Sequence, residues 1–260
     1  MTHAIFDSHF HIIDPRFPLI PNDGYLPPEF TLDHYRSHMK TLGISGGVVV
    51  SGSFQGFDQM YLMNALRELG PEFVGVANLP ADIPDSGIEE LASAGVRAVR
   101  FNLYRGGSEG IGKLLRLSTR VAAVAGMHTE LYVDATDLDA LEPTLAQLPR
   151  VSIDHLGMSA ANRQVLLRLV ERGMRVKATG FGRVTLDVVE ALRAIHTANP
   201  TALMFGSDLP STRARRPFAA TDISLIAEAL GEAALPAVLH ENGRSFYRMG
   251  SDATPALGSW

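Results

Sequence analysis

The 260-residue chain contains no cysteine, which excludes disulfide bonds and thiolate metal ligands. It also lacks a basic excess: the formal net charge is −5, so nucleic acid is not an expected partner. No apolar run approaches the roughly 20 residues of a membrane span, and residues 1–15 lack the apolar stretch of a signal peptide. We therefore expect a soluble, cytoplasmic protein without membrane or nucleic-acid partners.

The composition is that of a globular protein with a large core. Hydrophobic residues make up 46% of the chain and charged residues 20%, as in ordinary soluble domains. The length also matches the roughly 250 residues of an α/β barrel. We predict one domain over residues 1–248, followed by a tail over residues 249–260 that is rich in small residues, Gly and Pro.

Short β-type runs alternate with helix-type segments along the whole chain, which favours βαβ units and a parallel sheet. The predicted strands are Ala4–His9, Gly46–Ser51, Phe73–Leu79, Val96–Asn102, His128–Asp134, Val151–Gly157, Met174–Gly180 and Leu203–Asp208. The predicted helices are Leu32–Leu42, Met60–Leu69, Ile88–Ala94, Ile111–Ala125, Leu138–Leu148, Arg163–Arg172, Leu186–Asn199, Thr221–Leu230 and Pro236–Tyr247. Eight strands at this spacing predict a single-domain α/β protein, a (β/α)₈ TIM barrel.

Polar residues gather where the predicted strands end, which in such a barrel is the active-site face. His9 and His11 form an H-x-H pair, and because side chains alternate along a strand, both imidazoles are expected to point into the barrel. Such a pair can chelate a metal or polarise a carbonyl. The alternative is a pair of hydrogen-bonded structural histidines.

Asp208 and His155 end two further strands. Asp208 can act as a general base or a metal ligand, or else as a turn or helix-capping residue, since Pro210 follows closely. His155 can be catalytic or structural. Asp154, its neighbour, is predicted to point the other way and to be a structural hydrogen-bond partner.

Four ordered motifs together resemble a known family. They are DSHFH at residues 7–11, IDHLG at 153–157, VKATG at 176–180 and GSDLP at 206–210. The combination is similar to the branch of the amidohydrolase superfamily that holds 2-pyrone-4,6-dicarboxylate lactonase and several sugar lactonases. The resemblance covers the chain from about residue 4 to about residue 247 and implies a hydrolase.

The resemblance also bears on metal use. Many members of the superfamily bind one or two divalent ions through the H-x-H pair, histidines on strands five and six, and the aspartate on strand eight. Here strand five offers Tyr132 in place of its histidine, and His128 lies at the opposite end of that strand. His9, His11 and Asp208 could still hold one Zn or Mn ion. The lactonase branch is understood to work without metal, so no cofactor is required in the favoured hypothesis.

The resemblance further implies how a substrate is held. Arginines after strands four and seven grip substrate carboxylates, and the matching positions are Arg100, Arg105 and Arg183; guanidinium groups suit that task. Further polar contacts are implied for four residues, Tyr132, Tyr25, Ser51 and Ser53.

Two features stay outside the resemblance. Arg213, Arg215 and Arg216 follow the last strand, and either bind an additional anionic group or form a solvated surface cluster. Lys177 lies in the middle of strand seven, and we expect it to form a structural ion pair deep in the barrel.

The sequence thus predicts a hydrolase that opens a lactone ring. The substrate would carry carboxylates, as in 2-pyrone-4,6-dicarboxylate or a sugar-acid lactone, with Asp208 as general base and His9, His11 and His155 polarising the carbonyl. The nearest rival is a metal-dependent amidohydrolase or decarboxylase using His9, His11 and Asp208. The alternative from a different functional class is a binding protein that keeps the barrel but has lost catalysis. The sequence does not decide whether the protein forms homo-oligomers.

Overall fold

Parallel strands follow one another in chain order around the computed structural model, which describes residues 3–249. Eight strands lie within those residues: β1 Ile5–Phe10, β2 Ile44–Val50, β3 Phe73–Ala77, β4 Val96–Asn102, β5 His128–Tyr132, β6 Val151–Ile153, β7 Arg175–Ala178 and β8 Leu203–Phe205. Each pairs in parallel with the next. Beyond β8 the chain continues along β1, where the backbone N–H of Asp208 donates to the carbonyl of His9 at 2.7 Å. This contact closes the predicted (β/α)₈ barrel.

Helices connect the strands and cover the outside of the barrel. They are α1 Leu32–Leu42, α2 Met60–Leu69, α3 Asp85–Ser93, α4 Leu114–Ala125, α5 Leu138–Leu145, α6 Arg163–Glu171, α7 Val188–Ala198, α8 Thr221–Leu230 and α9 Asn242–Phe246. Their apolar faces pack on the outer faces of the strands, as the 3.6-residue periodicity predicts. Gly43 and Gly126 end α1 and α4 with positive φ angles of 72° and 62°, as expected of left-handed C-terminal residues.

The described residues also bear on membrane crossing. Across residues 3–249, no single helix is long and apolar enough to cross a bilayer, although the bent pair Thr221–Leu230 and Glu232–Phe246 passes by length and composition together.

Several boundaries differ from the sequence prediction. The last predicted helix, Pro236–Tyr247, begins with a π-helical turn over Ala237–Glu241 before α9. Helix α3 starts three residues earlier than predicted, directly after Pro84, a residue that suits a helix start. The predicted tail falls almost entirely outside the described residues, from residue 250 onward.

Strand β6 also ends earlier than predicted, at Ile153 rather than Gly157. The chain then turns sharply, with positive φ angles of 52° and 53° at His155 and Leu156. Asp154 is still extended, with φ −74° and ψ 151°, so strand alternation ends at His155, and the prediction that Asp154 points away from His155 is wrong. Both side chains are buried on the inner side, with 0% of Asp154 and 1% of His155 exposed.

The inside of the barrel has an apolar lower half. A cluster separate from the main core fills it, made of Phe6, Val48, Val50, Val74, Val76, Ala98, Met204, Phe246 and Tyr247. Packed side chains inside the strands are what makes such a barrel a solid core rather than a pore. This filling comes from residues of β1–β4 and β8 and from the C-terminal segment, and the open cleft lies at the carboxyl ends of the strands.

Asp7 joins the first and last strands at the closing seam. Its buried carboxylate accepts from the backbone N–H of Ser207 at 2.8 Å, the hydroxyl of Ser207 at 2.6 Å and the hydroxyl of Tyr35 at 3.1 Å. Burial raises the pKa of Asp7 to about 6, although these hydrogen bonds act in the opposite direction. The carboxylate therefore ties β1 to the continuation of β8 and to α1.

Replacing this carboxylate should weaken the barrel. In Asp7→Ala, four buried donors lose their acceptor, the fourth being the backbone N–H of His9, and we expect the free energy of unfolding to fall by about 3 kcal/mol. Urea unfolding followed by circular dichroism measures this. Asp82→Ala, at an exposed position, is the matched control, and equal stability of the two variants would contradict the role given to Asp7.

Candidate active site

A cleft of about 360 Å³ opens at the carboxyl ends of the strands. It is lined by His11, Gly52, Ser53, Phe54, Arg100, Asn102, Arg105, Tyr132, His155, Arg183, Thr212 and Arg213. His9 and Asp208 lie beneath this lining and are 0% and 1% exposed. The barrel thus brings the predicted histidines and aspartate together at one face, as parallel strands in a closed sheet require.

His9 is positioned by the buried side chains around its Nδ1 atom. The Nζ atom of Lys177 lies 3.3 Å from Nδ1 in hydrogen-bond geometry. Asp154 Oδ1 lies 3.4 Å away and makes no hydrogen bond among the described residues. Because an ammonium group can only donate, we infer that Nδ1 accepts and that the proton of His9 sits on Nε2.

Lys177 forms the buried ion pair that the sequence predicts. Its Nζ atom lies 2.5 Å from Glu130 Oε2 and 3.5 Å from Asp154 Oδ1, and all three side chains are fully buried. Asp154 also accepts from Arg100 Nη2 at 2.8 Å. Burial alone would raise the pKa of Asp154, but the neighbouring His9 and the positive charges of Lys177 and Arg100 hold it well below its ordinary value.

His11 has the opposite proton arrangement to His9. Its Nδ1 atom lies 2.7 Å from the carbonyl oxygen of Val50, and a carbonyl can only accept, so Nδ1 carries the proton. The Nε2 atom therefore presents a lone pair, 3.9 Å from Asp208 Oδ1. A neutral His11 can accept a proton or bind a cation, but it cannot donate to a substrate carbonyl through Nε2.

Asp208 has one engaged and one unengaged oxygen. Arg183 donates to Oδ2 from Nε at 2.9 Å and also from Nη2. Oδ1 is buried and makes no hydrogen bond among the described residues, and it lies 3.8 Å from His9 Nε2. The backbone of Asp208 adopts a positive φ of 59°, which aims the carboxylate back into the barrel.

His155 completes the cluster from the turn after β6. The centre of its ring lies 4.9 Å from those of both His9 and Tyr132. Gly180 makes this position possible, because a Cβ atom on residue 180 would lie 2.5 Å from His155 Nδ1. The glycine of the VKATG motif is therefore needed for the histidine of the IDHLG motif.

Burial favours the neutral form of all three histidines. Burial lowers the pKa of His9, and it lowers the pKa values of His11 and His155 well below the ordinary value of 6.5. The positive charge of Arg100 acts in the same direction on all three. Neutral imidazoles can donate or accept one hydrogen bond each, or bind a metal ion.

Three of these side chains form a cluster that can hold a metal ion. One ligand atom each of His9, His155 and Asp208 lies within 4.8 Å of the others, and all three residues are buried. Imidazoles and a carboxylate are ordinary zinc ligands. The set expected from the sequence contained His11, whereas the structure groups His155 with His9 and Asp208.

The expected substrate-binding residues divide into two groups. Arg100, Arg105, Arg183, Tyr132 and Ser53 line the cleft. Ser51 lies below it, where its hydroxyl donates to Gln59 at 2.9 Å and its carbonyl accepts from Arg100. Tyr25 lies under the guanidinium of Arg213, 4.5 Å from it.

The three arginines after β8 have different surroundings. Arg213 lines the cleft, Arg215 is exposed, and Arg216 donates to Asp222 at 2.6 Å. They are therefore not one cluster.

Sequence reasoning gave Asp154 no role in the site. The signal that could have placed it there was a charged residue at the end of a buried strand, next to His155.

A barrel with histidines and an aspartate buried at the carboxyl ends of its strands defines an enzyme of the amidohydrolase class. The chain belongs to the amidohydrolase family, whose sequence model matches residues 6–249. This confirms the resemblance seen in the four motifs and makes the chain a member of a hydrolase superfamily.

Two curated relatives are similar to this chain. A 2-pyrone-4,6-dicarboxylate hydrolase from Comamonas testosteroni is 31% identical over 58% of this chain and 51% of its own length. A 4-sulfomuconolactone hydrolase from Hydrogenophaga intermedia is 27% identical over 81% of this chain and 76% of its own length. The match thus spans about half of the first relative and three quarters of the second.

Solved structures share the fold. An apo crystal structure from Agrobacterium tumefaciens superposes with a TM-score of 0.82 at 23% identity, covering 96% of this chain and 97% of that one. A Pseudomonas putida protein with the provisional name 2-pyrone-4,6-dicarboxylic acid hydrolase superposes with a TM-score of 0.77 at 26% identity, covering 97% of this chain and all of that one. The single-domain barrel architecture is therefore that of known proteins.

Buried neutral histidines should make the protein sensitive to acid. Burial lowers the pKa of His128 to about 4, so between pH 6.5 and about 4 the unfolded chain binds a proton that the folded protein does not. The free energy of unfolding should therefore fall with decreasing pH in this window, by up to about 1.4 kcal/mol per pH unit for each such histidine. Asp7, whose pKa is raised to about 6, has the opposite effect, because there the folded protein binds a proton that the unfolded chain does not.

Urea unfolding at a series of pH values measures the effect. His128→Gln keeps a hydrogen-bond donor for Glu130 but removes the titrating ring, and it should show a shallower fall than the wild-type protein. A free energy of unfolding that rises as the pH drops through this window would contradict the assignment of neutral histidines.

Proposed function

We propose that this enzyme hydrolyses a lactone that carries anionic substituents. The observation that carries the proposal is the charge of the cleft: its lining includes four arginines and, within the described part of the chain, no carboxylate. A cleft of this kind attracts and orients a small anion. At its base are Asp208, which has an unengaged carboxylate oxygen, and three neutral histidines, of which His11 and His155 line the cleft and His9 lies beneath it. These are the groups that ester hydrolysis needs.

The names of the relatives support this substrate class. Both curated relatives are named as hydrolases of small acidic molecules, one a pyrone dicarboxylate and the other a sulfonated muconolactone. A pyrone is itself a cyclic ester. We therefore propose a carboxylated or sulfonated lactone, with 2-pyrone-4,6-dicarboxylate and sugar-acid lactones as first candidates, and Arg100, Arg105 and Arg183 as groups that orient it together with Tyr132 and Ser53.

In the proposed mechanism Asp208 is the general base. Its Oδ1 atom takes a proton from a water molecule, whose oxygen bonds to the lactone carbonyl carbon. The tetrahedral intermediate then collapses and the ring C–O bond breaks. The leaving oxygen takes up the proton that Asp208 received from the water molecule. Arg183 holds Oδ2 and so leaves Oδ1 as the atom that accepts the proton.

The histidines have distinct roles in this proposal. The Nε2–H group of His9 donates a hydrogen bond to the carbonyl oxygen, where negative charge develops in the transition state. His155 lies beside His9 and supplies a second polar contact to the same oxygen. The lone pair on His11 Nε2 accepts a hydrogen bond from the attacking water, rather than polarising the carbonyl as the sequence alone suggested.

Removing the base tests the central step. Asp208→Asn keeps the shape of the side chain and its oxygen for Arg183, but it cannot take up the proton, and we expect kcat to fall about a thousandfold. Proton release from 2-pyrone-4,6-dicarboxylate or an aldonolactone measures turnover. Asp134→Asn is the control, because Asp134 also follows a strand but caps the next turn through Thr136; near-full activity of Asp208→Asn would remove the proposed mechanism.

A metal-dependent hydrolase or decarboxylase is the second candidate, favoured by the cluster of His9, His155 and Asp208. A divalent ion bound there would act as a Lewis acid toward a carbonyl or toward water. The contact from Lys177 to Nδ1 of His9 opposes this use, since it holds the proton on Nε2, the atom that faces Asp208. We therefore favour the route that needs no metal.

Chelation separates the two candidates. Enzyme stripped with a chelator and shown by elemental analysis to hold no zinc or manganese should retain its turnover of the lactone substrate. Activity that is lost on stripping and returns with one equivalent of zinc or manganese would favour the metal-dependent candidate and would assign His9, His155 and Asp208 as ligands.

A further inference from the structure

The four arginines of the cleft differ in whether a carboxylate neutralises them. Arg100 is paired with Asp154 at 2.8 Å, and Arg183 is paired with Asp208. In residues 3–249, no carboxylate pairs with Arg105 or Arg213, whose contacts are with amide, carbonyl and aromatic groups. The uncompensated positive charge of the cleft is therefore that of Arg105 and Arg213.

Asn22 connects the two loops that carry these arginines. Its side-chain amide donates to the carbonyl oxygen of Arg105 at 3.1 Å, and its Oδ1 atom accepts from Arg213 Nη1 at 3.1 Å. Arg213 also donates from Nη2 to the backbone carbonyl of Asn22. The loops after β1, β4 and β8 are thus joined at one residue above the cleft.

Arg213 is held in place before any ligand arrives. Two of its nitrogens bind Asn22, its guanidinium lies 4.5 Å from the centre of the Tyr25 ring, and its backbone has a positive φ of 58°. A neutral amide leaves the guanidinium charge intact, whereas a carboxylate would cancel it. A guanidinium has five N–H donors, so donors remain for a further acceptor, and little side-chain freedom is left to lose on binding.

We propose that Arg213, together with Arg105, forms an anion subsite that binds a carboxylate or sulfonate group of the substrate. This subsite is separate from Asp208 and the histidines, and it gives a role to the one arginine of the β8 loop that lines the cleft. The proposal deepens the proposed function and rests on it for the identity of the substrate. The binding of an anion to the subsite is independent of catalysis and is tested separately.

The first experiment measures binding without chemistry. Isophthalate is a flat ring with two carboxylates and no bond that the enzyme can hydrolyse, and benzoate is its counterpart with one carboxylate. Titration calorimetry at low ionic strength gives both dissociation constants. We expect Arg213→Gln to weaken isophthalate binding about 10-fold or more, as the loss of a charge-assisted hydrogen bond implies, and to weaken benzoate binding less.

Two further variants separate charge from loop structure. Arg213→Lys keeps the positive charge but loses the paired contact with Asn22, and it should retain most of the isophthalate affinity if charge is what binds. Arg215→Gln removes an exposed arginine two residues away and should leave the affinity at the wild-type value. The subsite would be overturned if Arg213→Lys bound isophthalate as weakly as Arg213→Gln does. It would also be overturned if Arg215→Gln bound isophthalate as weakly as either variant.

The second experiment uses turnover. On a lactone with a free carboxylate, Arg213→Gln should raise KM about 10-fold with little change in kcat; on the matched lactone amide, which lacks that charge, KM should not change. An equal rise in KM on both lactones would contradict the proposal. If no lactone is hydrolysed but isophthalate binding still depends on Arg213, the proposed function fails and the anion subsite stands.

Discussion

Lys177 lies inside the barrel between Glu130 and Asp154, and its third contact is with Nδ1 of His9. Burying such charges is costly unless each one is paired, and removing one partner of a buried pair leaves an uncompensated charge. The ammonium group is therefore fixed in position by the carboxylates that surround it. Because it can only donate, we infer that it holds the proton of His9 on Nε2, the atom that faces Asp208.

The same pairing continues toward the cleft. Asp154 binds Arg100, and Arg183 binds Asp208, so positive and negative groups alternate from the centre of the barrel to the cleft. Burial and the nearby arginines together keep the histidines neutral. The result is a site in which one imidazole donates, one accepts, and one carboxylate oxygen makes no hydrogen bond within the described residues. This arrangement can move a proton from water to a leaving group without a net change of charge.

Sequence reasoning could predict the barrel because strand and helix periodicities alternate regularly and most helices end at glycines. It could also place His9, His11, His155 and Asp208 at one face, since the carboxyl ends of parallel strands meet there. Strand alternation was the wrong guide at His155, because Asp154 is still extended but the chain turns at the next residue.

Other features depend on contacts between residues far apart in the chain, which no local pattern encodes. The pairing of Arg183 with Asp208 joins residues 25 positions apart, and the contact of Lys177 with His9 joins residues 168 positions apart. The proton positions on His9 and His11 follow from such contacts. Residue types alone could therefore identify the candidate reacting groups but could not assign which of them donates and which accepts.

The proton position on His9 tests the account most directly. In metal-free protein with ¹⁵N-labelled histidine, the ring nitrogen shifts and long-range couplings of His9, assigned with a His9→Gln variant, report which nitrogen carries the proton. The account predicts the Nε2–H form, with Nδ1 accepting from Lys177. The Nδ1–H form, with its proton directed at Asp154, would contradict it, because Nε2 would then present a lone pair to the site and could not donate to a substrate carbonyl.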